Sequence, residues 1–225
     1  MLQSFLRLPR TPRRRVSSGT ALVPLGRLVI RGADLRVLLR VTIVLAVMSA
    51  LLLVELSSRS GVLWRLVTFT YQANLLAAIY YAWTLVSPRA DASTGWRGAA
   101  VLYVVVAGLI WNLFLTGRSM GYTSANVILH VVVPLLVVTD WLVIGRGKGT
   151  ARWWQPFAWL AYPAAYAGLA LLVLNSAGRR APYYFLDPSS VGVATVVANT
   201  SILAVGFLGL GYLLLAVARS PSANT

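Results

Sequence analysis

The 225-residue sequence contains no cysteine, one histidine, one lysine and five acidic residues. Each scarcity excludes a chemistry. Without cysteine there is no disulfide, no thiolate metal site and no cysteine nucleophile. A lone histidine cannot supply both axial ligands of a haem. His130 with only Asp34, Glu55, Asp91, Asp140 and Asp187 falls short of the ligand sets of zinc or di-iron sites, so no cofactor and no metal is expected. The phosphate-binding pattern G-x-x-x-x-G-K does not occur. Nor is there a visible internal repeat, so the matched broken helices that mark many transporters are missing.

Charge of either sign is also scarce. Charged residues make up 11% of the chain, against about 25% in an average soluble domain, while 58% of residues are hydrophobic and the mean hydropathy is +0.75. Lipid is the solvent such a composition suits, and the expected fold class is all-α: a polytopic, multi-pass protein of the cell membrane.

The net charge of +15 invites a nucleic-acid partner. Its distribution argues against one. Eight arginines fall in the first 36 residues (Arg7, Arg10, Arg13, Arg14, Arg15, Arg27, Arg31 and Arg36), with Phe5 as the sole aromatic and hence no stacking platform. Residues 1–35 are expected to be a basic, disordered cytoplasmic tail lying on anionic headgroups. The segment has neither the apolar core nor the cleavage site of a secretory signal.

Apolar runs of about 20 residues, the length that crosses hydrocarbon, occur six times, over roughly 36–57, 63–86, 98–116, 125–145, 154–176 and 190–218. The domain expected is therefore a six-helix bundle over 36–218, followed by a short tail at 219–225. The last run is rich in glycine (Gly206, Gly209, Gly211), which favours tilt or close packing. With both termini in the cytoplasm, the inner segments hold fourteen basic residues and the outer loops five, Arg40 lying within the first run. The positive-inside rule selects that orientation.

The second run is unusual. RLVTFTYQANLLAAIYYAW carries Thr68, Thr70, Gln72 and Asn74 within two turns. At a rise of about 1.5 Å per residue, Thr70, Asn112 in the third run and His130 in the fourth all lie about 8–9 Å below the outer surface. Asn74 shares the Thr70 face, and Asn126 stands one turn above His130. An ionisable residue at such a depth is a functional candidate; interhelical hydrogen bonding is the bland alternative for His130, and back-bonding to the i−4 carbonyl for the threonines. Asp140, near the inner end of the fourth run, is expected to cap or to pair with Arg146. Gly117-Arg118-Ser119-Met120-Gly121 fits G-x-S-x-G, but that pattern makes a nucleophile elbow only on a strand-to-helix turn, and here it joins two helices.

TFTYQANLLAAIYY, LHVVVPLLVVTDWL and PYYFLDP, in this order, resemble the androgen-induced protein/FAR-17a-like family and its bacterial six-helix members, over about residues 36–218. The resemblance implies hydrolysis of fatty-acyl esters by an intramembrane threonine and a histidine. The threonine falls on Thr70, with Thr68 the alternative register, and the histidine on His130. The loop pattern falls on Tyr183 to Asp187, with Tyr184 standing where the family pattern has proline. On that reading imidazole activates the Thr70 hydroxyl, Asn74 or Asn112 donates to the developing oxyanion, Tyr183 and Asp187 help to bind substrate, and the partners are membrane lipids and a lipid ester. Two readings stay beside it: a non-catalytic protein that binds lipid or a partner, its polar turns gluing helices, and a small transporter, which would need a continuous polar path.

Overall fold

The computed structural model describes residues 32–57, 65–117, 121–145, 150–174 and 183–220. The tail to residue 31, Arg118, Ser119, Arg146, Lys148, Arg179, Arg180 and residues 221–225 lie outside the described residues. Among those described, every regular element is helical. The long segments are Gly32–Ser57, Phe69–Val86, Thr94–Ile110 continued by a π turn at Trp111–Leu115, a rod over Ser124–Ile144, Gln155–Gly168 continued by a π turn at Leu169–Leu174, and Val193–Arg219. They fall on the six expected runs.

Four of these helices, Ala33–Ser57, Thr94–Leu115, Ser124–Ile144 and Val193–Arg219, are long and apolar enough to cross a membrane, as the helices of a membrane protein must be. Phe69–Val86 and Gln155–Leu174 are less apolar. The first carries Thr70, Gln72 and Asn74, the second Gln155, Tyr162 and Tyr166.

Thr94–Leu115 is the central post, with 67% of its most apolar stretch buried, against 22% for the first helix and 17% for the last. Its two faces serve two cores. Ala99, Leu102, Tyr103, Ala107 and Trp111, spaced three and four apart, join Phe69, Trp159, Tyr166 and Phe207. Ala100, Val101 and Val104 join Ile43, Val47, Tyr81, Val133 and Trp141. Residues three and four apart share a helical face, so one apolar sequence feeds both cores. Gly98 lets the Trp159 ring lie where a Cβ would be, and Trp159 Nε1 donates to the Gly95 carbonyl at 2.9 Å. In the last helix only Gly211 makes a close approach, to Pro156; Gly206 and Gly209 face open space.

The end of the bundle that holds Asp91 is knotted by charge. Arg40 and Arg97, each 1% exposed, flank Asp140, which is fully buried. Arg40 donates to Asp140 at 3.2 Å and to Asp91 at 2.5 Å. Arg97 donates to the Asp91 carboxylate at 2.6 Å and its carbonyl at 2.7 Å, and stands 3.5 Å from Asp140. Arg36 reaches Asp91 from the rim at 2.9 Å. Asp140 thus pairs with arginines of the first and third long helices; its expected partner Arg146 lies outside the described residues. Away from water a charge needs an opposite charge, and this knot ties three helices and the short turn Pro88–Asp91 together. The far end has one more pair, Arg65 with Glu55.

Removing one partner of a buried pair costs about 3–5 kcal/mol, and an exposed pair is worth under about 1 kcal/mol. Asp140→Ala is therefore expected to lower the thermal unfolding midpoint of the detergent-solubilised protein far more than Glu55→Gln, whose carboxylate is one-third exposed.

Candidate active site

Thr70 and His130 meet. The helix Phe69–Val86 starts after Thr68, whose hydroxyl donates to the Arg65 carbonyl at 2.8 Å instead of capping the helix. Thr70 is thus the second residue of the first turn, and its hydroxyl lies 3.2 Å from His130 Nε2. The other ring nitrogen fixes the tautomer. Nδ1 sits 2.9 Å from the Asn126 carbonyl, which can only accept, so Nδ1 carries the proton and Nε2 is left to accept from Thr70. A backbone carbonyl takes the orienting place that an acid holds in many hydrolytic triads.

The imidazole is held from three sides. Trp111 stacks on it, ring centroids 4.8 Å apart and planes 16° from parallel. Asn112 Nδ2 donates to the His130 carbonyl at 3.2 Å and to the Gly108 carbonyl at 2.8 Å. Pro134 gives the physical reason. It has no N–H to offer the carbonyl four residues back, which is that of His130, and the Asn112 amide supplies a donor. Gly108 makes room, since a Cβ there would lie 2.7 Å from the His130 oxygen. Trp111, Asn112 and His130 all sit on π turns, Trp111–Leu115 and Ile128–Val132, departures from α geometry that often accompany functional sites.

Thr70 also lines a cavity of about 150 Å³. The wall is apolar: Phe69, Ile110, Leu160, Phe185 and Phe207 contribute to it, with Thr70, Tyr166, Tyr183 and Thr200 the polar side chains. Ala164, exposed on the outside of the bundle, lines it too, so the cavity reaches the lateral surface beside the helix Gln155–Gly168. The segment of Tyr183 with the 3₁₀ turn Tyr184–Leu186 packs into the bundle as a plug. Tyr183 stacks on Phe185 at 5.5 Å, and Asn199 Nδ2 holds the Phe185 carbonyl at 3.0 Å.

The other residues singled out in the sequence take different places. Tyr183 lines the cavity with its phenol beside the Thr70 hydroxyl. Asn74 Nδ2 donates to the Thr70 carbonyl at 2.9 Å, a tie within its own helix. Neither Asn74 nor Asn112 lines the cavity, and the Asn112 Nδ2 group is spent on two carbonyls, so neither is placed to be the expected oxyanion donor. Asp187 caps the short helix Pro188–Val191, accepting from the Ser189 N–H at 2.9 Å and from the Ser189 and Ser190 hydroxyls at 2.6 Å each, away from the cavity wall. Trp111 and Tyr166 carried no sequence signal of their own. Trp111 is one more aromatic in an apolar run, and Tyr166 one of ten tyrosines.

No protein family matches the chain, nor does any curated protein or solved structure.

Gly108→Ala is expected to push on the His130 carbonyl, displace the imidazole from Thr70 and lower stability by about 1–3 kcal/mol, the cost of overpacking a filled site. Thermal unfolding reads the stability change, and the histidine ring resonances read the displacement.

Proposed function

We propose that the chain is an intramembrane hydrolase of lipid esters, with Thr70 as nucleophile and His130 as base. The observation that carries this reading is the 3.2 Å contact from the Thr70 hydroxyl to an imidazole nitrogen whose partner nitrogen is tied to a carbonyl. That is the arrangement a weak hydroxyl nucleophile requires. The apolar cavity on the open side of Thr70 is the complementary half, a place for an acyl chain next to the hydroxyl that would attack its carbonyl. Thr68, with its hydroxyl on a local carbonyl, is the weaker register.

The chemistry balances on these groups. Thr70 Oγ1 bonds to the ester carbonyl carbon as its proton passes to His130 Nε2. The carbon–alkoxy bond then breaks, and the departing alkoxide takes the proton from His130. Water, deprotonated by the same nitrogen, attacks the acyl-threonine, the bond from the acyl carbon to Thr70 Oγ1 breaks, Oγ1 takes the proton back from His130 Nε2, and the fatty acid leaves. Membership of the androgen-induced protein/FAR-17a-like family belongs to the same proposal. So do six membrane crossings with both termini in the cytoplasm, which set Thr70 and His130 in the outer leaflet and let substrate lipid enter sideways past Ala164. The alternative of a lipid-binding protein, in which the Thr70–His130 bond merely joins two helices, is separated by reactivity.

The purified protein, treated in detergent with an alkyl fluorophosphonate and mapped by peptide mass spectrometry, is expected to carry the adduct on Thr70. Labelling should vanish in Thr70→Ala and His130→Ala and persist in Thr68→Ala. Unlabelled Thr70 in folded wild-type protein would sink the hydrolase reading and favour the lipid binder.

A further inference from the structure

A carbonyl attacked by Thr70 develops negative charge on its oxygen, and in an apolar cavity that charge needs a donor. The polar groups of the bundle can be taken in turn. The Asn112 amide is spent on two carbonyls and that of Asn74 on the Thr70 carbonyl. The Tyr162 hydroxyl is bound to Gln72 at 2.5 Å, the Tyr103 hydroxyl to the Trp159 carbonyl at 3.0 Å, and the Thr200 hydroxyl to the Val196 carbonyl at 2.8 Å. The phenols of Tyr183, beside the Thr70 hydroxyl, and of Tyr166 remain on the cavity wall, and of the two only the Tyr166 hydroxyl is a buried group without a partner. Tyr166 is 7% exposed, yet its hydroxyl lies beside the Phe69 N–H and the Tyr183 phenol without meeting either in hydrogen-bond geometry. A buried hydroxyl left without a partner costs about 1–3 kcal/mol, so an orphan on the wall of the cavity that also holds Thr70 calls for an explanation.

The start of the helix Phe69–Val86 adds to it. Thr68 does not cap it with its side chain, and the first N–H bonded back within the turn is that of Gln72, to Thr68. The N–H groups of Phe69 and Thr70 precede it and face the Tyr183 phenol. They carry the positive end of an 18-residue helix.

We propose that Tyr166 is the oxyanion donor of the site, acting with the Phe69 and Thr70 N–H groups at the head of this helix. The assignment rests on the hydrolase reading above and extends it. The Tyr166 hydroxyl stays unsatisfied in the free protein because its acceptor is the carbonyl oxygen of a bound ester. In the tetrahedral intermediate the electron pair of the carbonyl rests on that oxygen, Tyr166 donates to it, and the pair returns to the carbon as the alkoxy bond breaks. Tyr166 keeps its own proton throughout.

The test uses the full chain in detergent with a short-chain 4-nitrophenyl ester as substrate and a trifluoromethyl ketone of the same chain length as inhibitor, beside its methyl ketone. In Tyr166→Phe, kcat should fall on the order of 10²-fold, the scale of losing one oxyanion donor, with KM little changed. Affinity for the trifluoromethyl ketone, which places an oxyanion on the enzyme, should fall by a similar factor, while the methyl ketone is unaffected. The unfolding midpoint should hold or rise, because the hydroxyl removed had no partner. Tyr103→Phe is the converse control: its hydroxyl is spent on Trp159, so the midpoint should drop and kcat stay. If wild-type protein hydrolyses the ester and Tyr166→Phe matches it within about threefold, well short of the loss expected of an oxyanion donor, the assignment falls and the hydrolase reading stands. If Tyr166→Phe loses rate and midpoint together, the hydroxyl is structural and the assignment again falls. If wild-type protein neither hydrolyses the ester nor takes the fluorophosphonate on Thr70, the reading beneath it fails and takes the assignment with it.

Discussion

The bundle depends on pairing buried arginines with buried carboxylates. Arg40, Arg97, Asp91 and Asp140 make those pairs with one another at one end, drawing together helices whose apolar surfaces alone would not fix their register. Apolar side chains pack against lipid about as well as against each other, so contact among them gives little reason to choose one arrangement of helices. An arginine inside a span does, because it tolerates few neighbours. The central post, which feeds two cores at once, is pinned at this end by Arg97.

The other end is legible through its polar groups. There the buried polar groups divide into those with partners and those without. Asn74, Asn112, Tyr162 and Thr200 spend their donors on carbonyls or on one another's helices. The Thr70 hydroxyl is engaged with a ring nitrogen that can take its proton, and the Tyr166 hydroxyl is engaged with nothing. Pro134 sets this end up by withholding one N–H. The carbonyl it leaves bare is taken by Asn112, which brings the turn at Trp111 against the turn at His130 and sets an indole face on the imidazole. The Asn112 amide contact thus traces back to one imino acid.

Much of this was written in the sequence. Each of the six long helices overlaps an expected hydrophobic run, with ends that differ by up to six residues, since in such a chain length and polarity dominate every other signal. Thr70, Asn112 and His130 were brought to one level by counting turns from the run ends, and the bundle sets them side by side. The count gave depth but not direction, so it did not reveal that Asn112 faces the His130 backbone, that Asn74 turns back on its own helix, or that Asp187 caps a turn. Spacing along the chain sets Asp140 near Arg146, which lies outside the described residues, and does not show that Arg40 and Arg97 reach it from other helices. Tyr166 was invisible because being unpartnered is a property of surroundings, not of a residue type.

The cavity beside Thr70 is also a ruler. Its volume of about 150 Å³ is roughly the room that holds a single benzene in an engineered apolar protein cavity. A few carbons fill it, and Phe185 and Leu186 from the plug close one wall. Anything longer must run out past Ala164 into the space between helices or lift the Tyr183–Leu186 segment from its seat. For the acyl chain proposed above, the number of methylenes accommodated inside and the point at which the chain turns outward depend on Phe185 and Leu186 of this segment together with the helix residues that form the other walls.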